Sequence, residues 1–315
     1  MKQRIQGIVI GFLIAALLSG LTVVAAVGTQ TIEVTFRDIK LYIDGSLFTP
    51  KDSNGNDIAP FIYNGTTYLP VRSIGEIFGR DVTWDDSTNS IYIGRRPMRE
   101  FNQFEPPAAG EEYAVITTEF GVIGLRLFPQ FAPRAVENFI GLAKAGYYDG
   151  LIFHRVIEGF VIQGGDPLGT GEGGESIFGG GFMVEIEPEP RHLNGALGMA
   201  RGSTFDSQGS QFYIVQNSEL SMSDLHQVNN LLENQDAEIE PGSGVFIRDY
   251  YPAWLMNRYL ERGGLPSLDG DYTVFGQVFY GMDVVNKIAA VETDGSDKPL
   301  VDVVMTTVEI RVFGE

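Results

Sequence analysis

Three histidines (His154, His192 and His226) and no cysteine make up the chain's supply of switchable ligands. A thiolate nucleophile, a disulfide and a CxxC metal or redox site are therefore excluded. Asp52, Asn54, Asn56 and Asp57 resemble a calcium loop, but its glycine sits at the wrong offset and Tyr63 stands where a bidentate glutamate is needed. From Gly164 to Gly181 nine of eighteen residues are glycine. A phosphate cradle would add a Gly-Lys-Ser/Thr step, whereas this run holds no Lys or Arg, and Asp166, Glu172 and Glu175 repel phosphate. The glycines are read as backbone freedom on a tight loop. His154 shares its neighbourhood with Asp166, but no G-x-S-x-G elbow presents a nucleophile to it, so it is read as a packed strand residue. No metal and no cofactor is expected.

A cation remains. Arg155 lies in FHRVIEGFVIQGGD, Phe153 to Asp166, among apolar and aromatic side chains with Gln163 eight positions on. A guanidinium beside an apolar pocket, with a glutamine able to orient it, suits a neutral substrate whose electron distribution must be nudged. An acidic substrate would call for more positive charge.

The elements that position this cation are short strands. Alternation along FHRVI predicts Phe153, Arg155 and Ile157 on one face and His154 and Val156 on the other, with Phe160, Val161 and Gln163 following the Gly159 bend. AVITTEFGVIGLRLF reads as a hairpin turning near Gly121. Pro133 opens a helix whose stripe is Val136, Phe139, Ile140 and Ala143, and Gly146 ends it. A second helix near Met282 to Ala290 and the alternating VVMTTVEIRVF close the chain. The fold class is mainly β: a closed antiparallel β-barrel capped by two helices over residues 112–315. An insertion, Ser218 to Pro266, carries helical patterns in SDLHQVNNLLENQ and RDYYPAWLMNRYLERGG, since a plain loop of that length would be unusual.

Ahead of the barrel, residues 31–94 read as a small α+β domain, with a tight turn at Asn64-Gly65, a helix from Val71 to Phe78 and a hairpin in VTWDD and SIYIG. Residues 95–111, rich in arginine and proline, read as a linker. Residues 1–27 pair Lys2 and Arg4 with an uncharged apolar run, which predicts an export signal cleaved after Ala25 or Ala26. The same run is long enough to stay as a membrane anchor. Either way the body of the protein is expected outside the cytoplasm, secreted or held at the membrane or cell wall through its N-terminal region. A formal net charge of −19 argues against nucleic acid and anionic lipid as partners.

FHRVIEGFVIQGGD, NGALGMAR (194–201), SQGSQFYIV (207–215) and LDGDYTVFGQVFYGMDVV (268–285) occur in the order found in the cyclophilins. From about Tyr113 to the C-terminus, the insertion apart, the chain resembles these peptidyl-prolyl cis-trans isomerases. GTTYLPVRSIGEIFG and VTWDDSTNSIYIG resemble the N-terminal domain of copper amine oxidases, reused as a stalk in secreted bacterial proteins. No histidine lies in that segment, so a spacer or interaction role is expected instead of copper chemistry.

The resemblance implies that proline-containing polypeptides are the partners and that Arg155 and Gln163 are the catalytic pair. Arg155 would donate to the proline nitrogen as it pyramidalises, and Gln163 would position the arginine and touch substrate backbone. Phe160, Val161, Tyr213 and Leu268 would wall the proline pocket. Ala200 and Arg201 would pair with the peptide backbone, Gln211 would line the groove, and Tyr272 occupies a place where histidine is common in eukaryotic members. Val161 replaces a usual methionine, Tyr213 a phenylalanine and Arg201 an asparagine. Ser267 stands where many eukaryotic members carry a tryptophan tied to cyclosporin binding, which implies weak inhibition by that drug. Tyr250, Tyr251, Trp254, Leu255 and Tyr259 of the insertion either pack on the barrel or form an arm for clients. A non-catalytic peptide-binding or scaffold protein is the rival reading.

Overall fold

The computed structural model describes residues 31–52, 55–80, 82–85, 89–94, 98–239 and 245–314. The expected leader at 1–27, Asn54 of the calcium-like loop and the start of the expected linker lie outside them. The chain divides into two compact units at Arg96/Pro97.

The first unit is built from two- to four-residue strands. β1 (Thr35–Phe36), β4 (Phe61–Tyr63) and β5 (Thr66–Tyr68) form one sheet, while β2 (Leu41–Ile43) with β3 (Ser46–Phe48) and β6 (Val82–Asp85) with β7 (Ser90–Ile93) form separate hairpins. Asn64 and Gly65 both take positive φ, 47° and 76°, the geometry a two-residue hairpin turn requires. Helix α1 (Val71–Ile77) follows Pro70. In the calcium-like loop, Asp52 accepts from the Asn56 main-chain N–H at 2.9 Å and from its side-chain amide at 3.0 Å. That carboxylate serves a turn.

The second unit is one curled antiparallel sheet. In chain order its strands are β8 (Glu112–Thr118), β9 (Gly121–Leu127), β10 (Phe153–Val156), β11 (Val161–Gly164), β12 (Ala196–Met199), β13 (Phe212–Val215), β14 (Val274–Tyr280) and β15 (Met305–Val312). Across the sheet they run β10-β11-β13-β12-β14-β9-β8-β15. The expected closure is partial. β10 and β15 share no ladder, and their edges meet through one bridge, Ile152 to Val304, flanked by Phe153 N–H donating to the Val303 carbonyl at 3.0 Å and Met305 N–H to that of Leu151 at 2.8 Å.

Helix α2 (Pro133–Lys144) covers one opening. Pro133 sets its first turn, and two main-chain N–H groups there, of Arg134 and Ala135, donate to the distant Glu185 carboxylate at 3.1 and 2.9 Å. A carboxylate at that end satisfies orphan donors and complements the helix dipole. Phe139 packs against Tyr148, Phe212 and Phe275 with ring centroids 5.2–5.4 Å apart, so its truncation to Ala would cost about 3–5 kcal/mol. Asn138, polar but fully buried, accepts from Ile177 N–H and donates to the Gly209 carbonyl. After α3 (Met222–Glu233) and α4 (Ala253–Arg262) of the insertion, α5 (Met282–Ala289) buries Val284, Val285 and Ile288 in the same core.

The insertion packs against the barrel. Val228, Leu255, Met256 and Tyr259 bury themselves with Leu193 of the barrel, together with Met98 and Phe104. The second helical pattern is shorter than its sequence suggests: a 3-10 turn at Ile247–Asp249 precedes Pro252, and α4 begins only after it. Its return to the sheet runs through Gly264, where φ is +131° and a Cβ would meet the His192 carbonyl oxygen at 2.3 Å.

The segment read from sequence as a linker is, from Met98 onward, part of this unit. Gln103 is buried, donates to the Arg191 carbonyl and to Gln277 Oε1, and accepts from Arg191 N–H. Phe101 stacks edge-on against Phe128 and Phe131. Prolines marked this stretch as non-helical, but its aromatics found apolar ground.

Candidate active site

Arg155 reaches its position through a β-bulge. Phe153 pairs with Gly164 and Arg155 with Gln163, so β10 spends two steps where β11 spends one. An extra residue reverses alternation. Phe153 therefore shares the barrel core with Val156, while Arg155 points elsewhere. This corrects the expectation that Phe153 and Arg155 lie on one face. His154 occupies the bulge, 6% exposed, with neither ring nitrogen in a hydrogen bond. Burial pushes its pKa down, Asp166 opposes this, and Arg155 and Lys298 reinforce it, which keeps the imidazole neutral.

Arg155, Phe160, Val161, Gln163, Ala200, Arg201, Tyr213, Leu268 and Tyr272 line one pocket of about 160 Å³. Such a volume is below what a drug-sized ligand occupies and suits one small side chain. Gln211 is not among the lining residues. It accepts from Gln163 Nε2 at 2.9 Å and donates to the Gly171 and Gly173 carbonyls at 2.9 and 2.8 Å. Gln163 thus braces the glycine loop through Gln211, while Arg155 is approached by Asp297, whose Oδ2 lies 3.6 Å from its Nε, and by the Phe160 ring at 5.6 Å. Gln163 therefore makes its side-chain bond to Gln211, and the carboxylate nearest Arg155 is that of Asp297. Asp297 has φ of +63° and accepts Val156 N–H on its carbonyl, so its loop is tied to the strand that carries Arg155.

The second guanidinium of the pocket is occupied. Arg201 donates to the Asp271 carbonyl at 2.9 Å and the Gly202 carbonyl at 3.0 Å, and lies 4.6 Å from both the Tyr272 and Phe205 ring centres. The Ala200 N–H donates to the Gln211 carbonyl at 3.0 Å.

The glycine loop is organised around Asp166. Its buried carboxylate accepts main-chain N–H bonds from Leu168 and Thr170, each at 2.8 Å, and from Gly171 at 2.6 Å. Burial pushes that carboxyl up, but the loop amides of Leu168, Thr170, Gly171 and Gly173 outweigh it and hold it below the usual range. The amides a phosphate would need are aimed at a resident anion.

Tyr213 forms the pocket's deep wall. It is 5% exposed and packs with Val161, Val274 and Leu265. Its ring lies over Gly198, its partner across β12 and β13, where a Cβ would meet Cζ at 2.4 Å. Burial, with Tyr272 and Asp269 adding to it, pushes the phenol well above its ordinary pKa. It is a donor at any working pH. Sequence reading missed Gly198, Asp297, His192 and Asp269. The turn chemistry of Asp294 to Lys298 and the adjacency of Asp269 to Leu268 were the available signals.

Residues 113–310 match the family model described as cyclophilin type peptidyl-prolyl cis-trans isomerase/CLD, and residues 17–93 that of the copper amine oxidase N-terminal domain. A protein of Staphylococcus aureus strain USA300, named "Putative peptidyl-prolyl cis-trans isomerase", is 41% identical over 202 residues, which cover 64% of this chain and 93% of that protein. A Streptococcus pyogenes serotype M6 protein, named "Putative bifunctional phosphatase/peptidyl-prolyl cis-trans isomerase", is 45% identical over 197 residues. That match covers 62% of this chain but only 38% of the longer relative. Among solved structures, a Cryptosporidium parvum cyclophilin-type isomerase crystallised in the presence of the dipeptide Ala-Pro is 31% identical, with a TM-score of 0.48 over 63% of this chain and 98% of that one.

Proposed function

Because the chain belongs to the cyclophilin-type family and is a peptidyl-prolyl cis-trans isomerase, we propose that it turns X-Pro bonds by presenting the Arg155 guanidinium to the proline nitrogen. The barrier to rotation, about 18–20 kcal/mol, comes from amide resonance. As the bond twists, resonance is lost and the nitrogen becomes pyramidal with a localised lone pair. A donor fixed against that lone pair stabilises the twisted state more than either planar one, which is catalysis by differential binding. No proton is transferred and no covalent bond forms. The ring of the substrate proline sits against Phe160, Val161, Tyr213, Leu268 and Tyr272.

One observation carries the choice of residue. Of the two guanidiniums lining the pocket, Arg201 donates to two carbonyls and lies 4.6 Å from two ring centres, whereas Arg155, among the described residues, meets only the Asp297 carboxylate through Nε and the Phe160 ring. Its terminal N–H groups are left for substrate.

The partners on this reading are proline-containing polypeptides. The leader at residues 1–27 supports clients that fold outside the cytoplasm, with the stalk-like first unit, or an uncleaved leader, serving membrane or wall attachment. N-terminal sequencing of the chain recovered from medium and envelope fractions tests that part. A protease-coupled proline-peptide assay tests the chemistry. Arg155→Ala is expected to lower kcat/KM by about 10²–10³, with little recovery in Arg155→Lys, whose point charge lacks the planar fork. Wild-type turnover no better than that of Arg155→Ala would leave a peptide-binding scaffold as the function.

A further inference from the structure

A chain of buried polar groups runs from the insertion to the wall of the proline pocket. Tyr259 of α4 donates its hydroxyl to Asp269 Oδ2 at 2.6 Å. Asp269 Oδ1 lies 2.9 Å from His192 Nδ1 and accepts the His192 main-chain N–H at 3.0 Å. His192 Nε2 lies 2.9 Å from the Tyr213 hydroxyl. The two rings stack, 17° between planes. The side chains are out of water, with His192 1% and Asp269 4% exposed.

The direction of each bond follows from chemistry. Arg191 stands 3.8 Å from Asp269, and although burial pushes that carboxyl up, His192, Arg191 and Tyr259 outweigh it and keep it ionised. An ionised carboxylate only accepts, so the proton between it and the imidazole belongs to Nδ1. In neutral His192 this leaves a lone pair on Nε2, and the phenol of Tyr213 donates to it. The hydroxyl is thereby committed away from substrate and the ring is fixed, with Gly198 supplying the space beside it.

We propose that His192, locked by Asp269, is the positioning residue that sets Tyr213 as the proline-pocket wall, and that the insertion acts on the groove through Tyr259. The proposal rests on the isomerase reading of that groove. It assigns the insertion a place in substrate binding: the helix that delivers Tyr259 braces the Tyr213 wall by way of Asp269 and His192. Arg191 joins the same junction, donating to the Tyr250 carbonyl at 2.8 Å.

A double-mutant cycle on the full chain reads the coupling. His192→Gln is expected to raise KM for a proline tetrapeptide about tenfold with kcat within twofold, and Tyr259→Phe to raise it about threefold, as a loss of one buried hydrogen bond predicts. In a Tyr213→Phe background both effects should fall below twofold, since the hydroxyl they act through is gone. Equal losses in both backgrounds would overturn the proposal. Nitrogen-15 spectra of histidine-labelled wild type, assigned with His154→Gln and His226→Gln, give a second reading that needs no turnover. A protonated Nδ1 with an unprotonated Nε2 at His192 is expected, and the opposite tautomer overturns the relay. An inactive wild type with the expected tautomer would sink the isomerase mechanism and leave the relay standing, so the two failures are told apart.

Discussion

Arg155 Nε and Asp297 Oδ2 lie 3.6 Å apart, both side chains roughly half exposed, and this pair ties the proposed catalytic cation to a loop some 140 residues downstream by sequence. An ion pair so open to water is worth at most about 1 kcal/mol. Asp297→Ala is therefore expected to lower kcat/KM no more than about fivefold, far less than Arg155→Ala. Raising the salt concentration should bring the wild type toward the variant, because screening weakens an exposed pair.

Gln211 is expected to act through the glycine loop. Gln211→Ala removes the acceptor for Gln163 and the two bonds to Gly171 and Gly173. KM for a tetrapeptide should rise roughly three- to tenfold, with the thermal midpoint almost unchanged. A fall in kcat alone would place Gln163 at the reacting atoms instead.

Acid stability should carry two separable components. His154 is lowered below its usual pKa of about 6.5, so the unfolded chain binds its proton first, and stability drops as pH falls from about 6.5 toward the depressed native value. Asp166 is also lowered; its stabilisation is complete above the unfolded aspartate value of about 3.9 and is lost as pH falls through the native one. Urea melts at a series of pH values should show His154→Phe losing the upper component and Asp166→Asn reducing the lower one, the remainder of which belongs to other carboxylates held below their usual range, Asp269 among them.

Ser267 is exposed on the turn that precedes Leu268. By the family resemblance, inhibition by cyclosporin should be weaker than in members with tryptophan at this position, and Ser267→Trp should strengthen it. An unchanged inhibition constant in Ser267→Trp would detach the drug from this position.

Removal of the insertion should harm the barrel as well as any client binding. Gly263 lies against Asn217 and Ser218, its Cβ position 2.3 Å from the Asn217 carbonyl, so residues 219–262 can be excised and the ends rejoined. Leu193 would then be exposed and Asp269 would lose Tyr259. The thermal midpoint should fall, and turnover of tetrapeptide and of a protein substrate should fall together. Loss confined to the protein substrate would restore the arm reading.

The groove was readable from sequence because its walls fall in contiguous motifs: Phe160, Val161 and Gln163 in one, Ala200 and Arg201 in another, Tyr213 and Leu268 in two more. Helix α2 was readable from Pro133 and its apolar spacing, and the hairpins from glycine and asparagine turns. The bulge at His154 was not, because an extra residue in a strand leaves no compositional trace and strict alternation was the only guide. The Gln103 and Asp269 networks were hidden for another reason. Polar residues in a polar-looking stretch advertise solvent, and only the fold shows that Gln103 meets Arg191 and Gln277, or that His192 meets Asp269 across 77 positions.

The single bridge between Ile152 and Val304 also sets how the barrel breathes. β10 has a bulged ladder on one side and two backbone bonds of its own on the other, so it detaches at lower free energy than β12 or β13, which are paired on both sides and wholly buried. Native-state hydrogen exchange should rank the Phe153 and Val156 amides below those of Leu197 and Ile214. The strand that carries Arg155 is then the first to loosen, and cold, pressure or mild denaturant should silence the enzyme well before the aromatic core around Phe139 gives way.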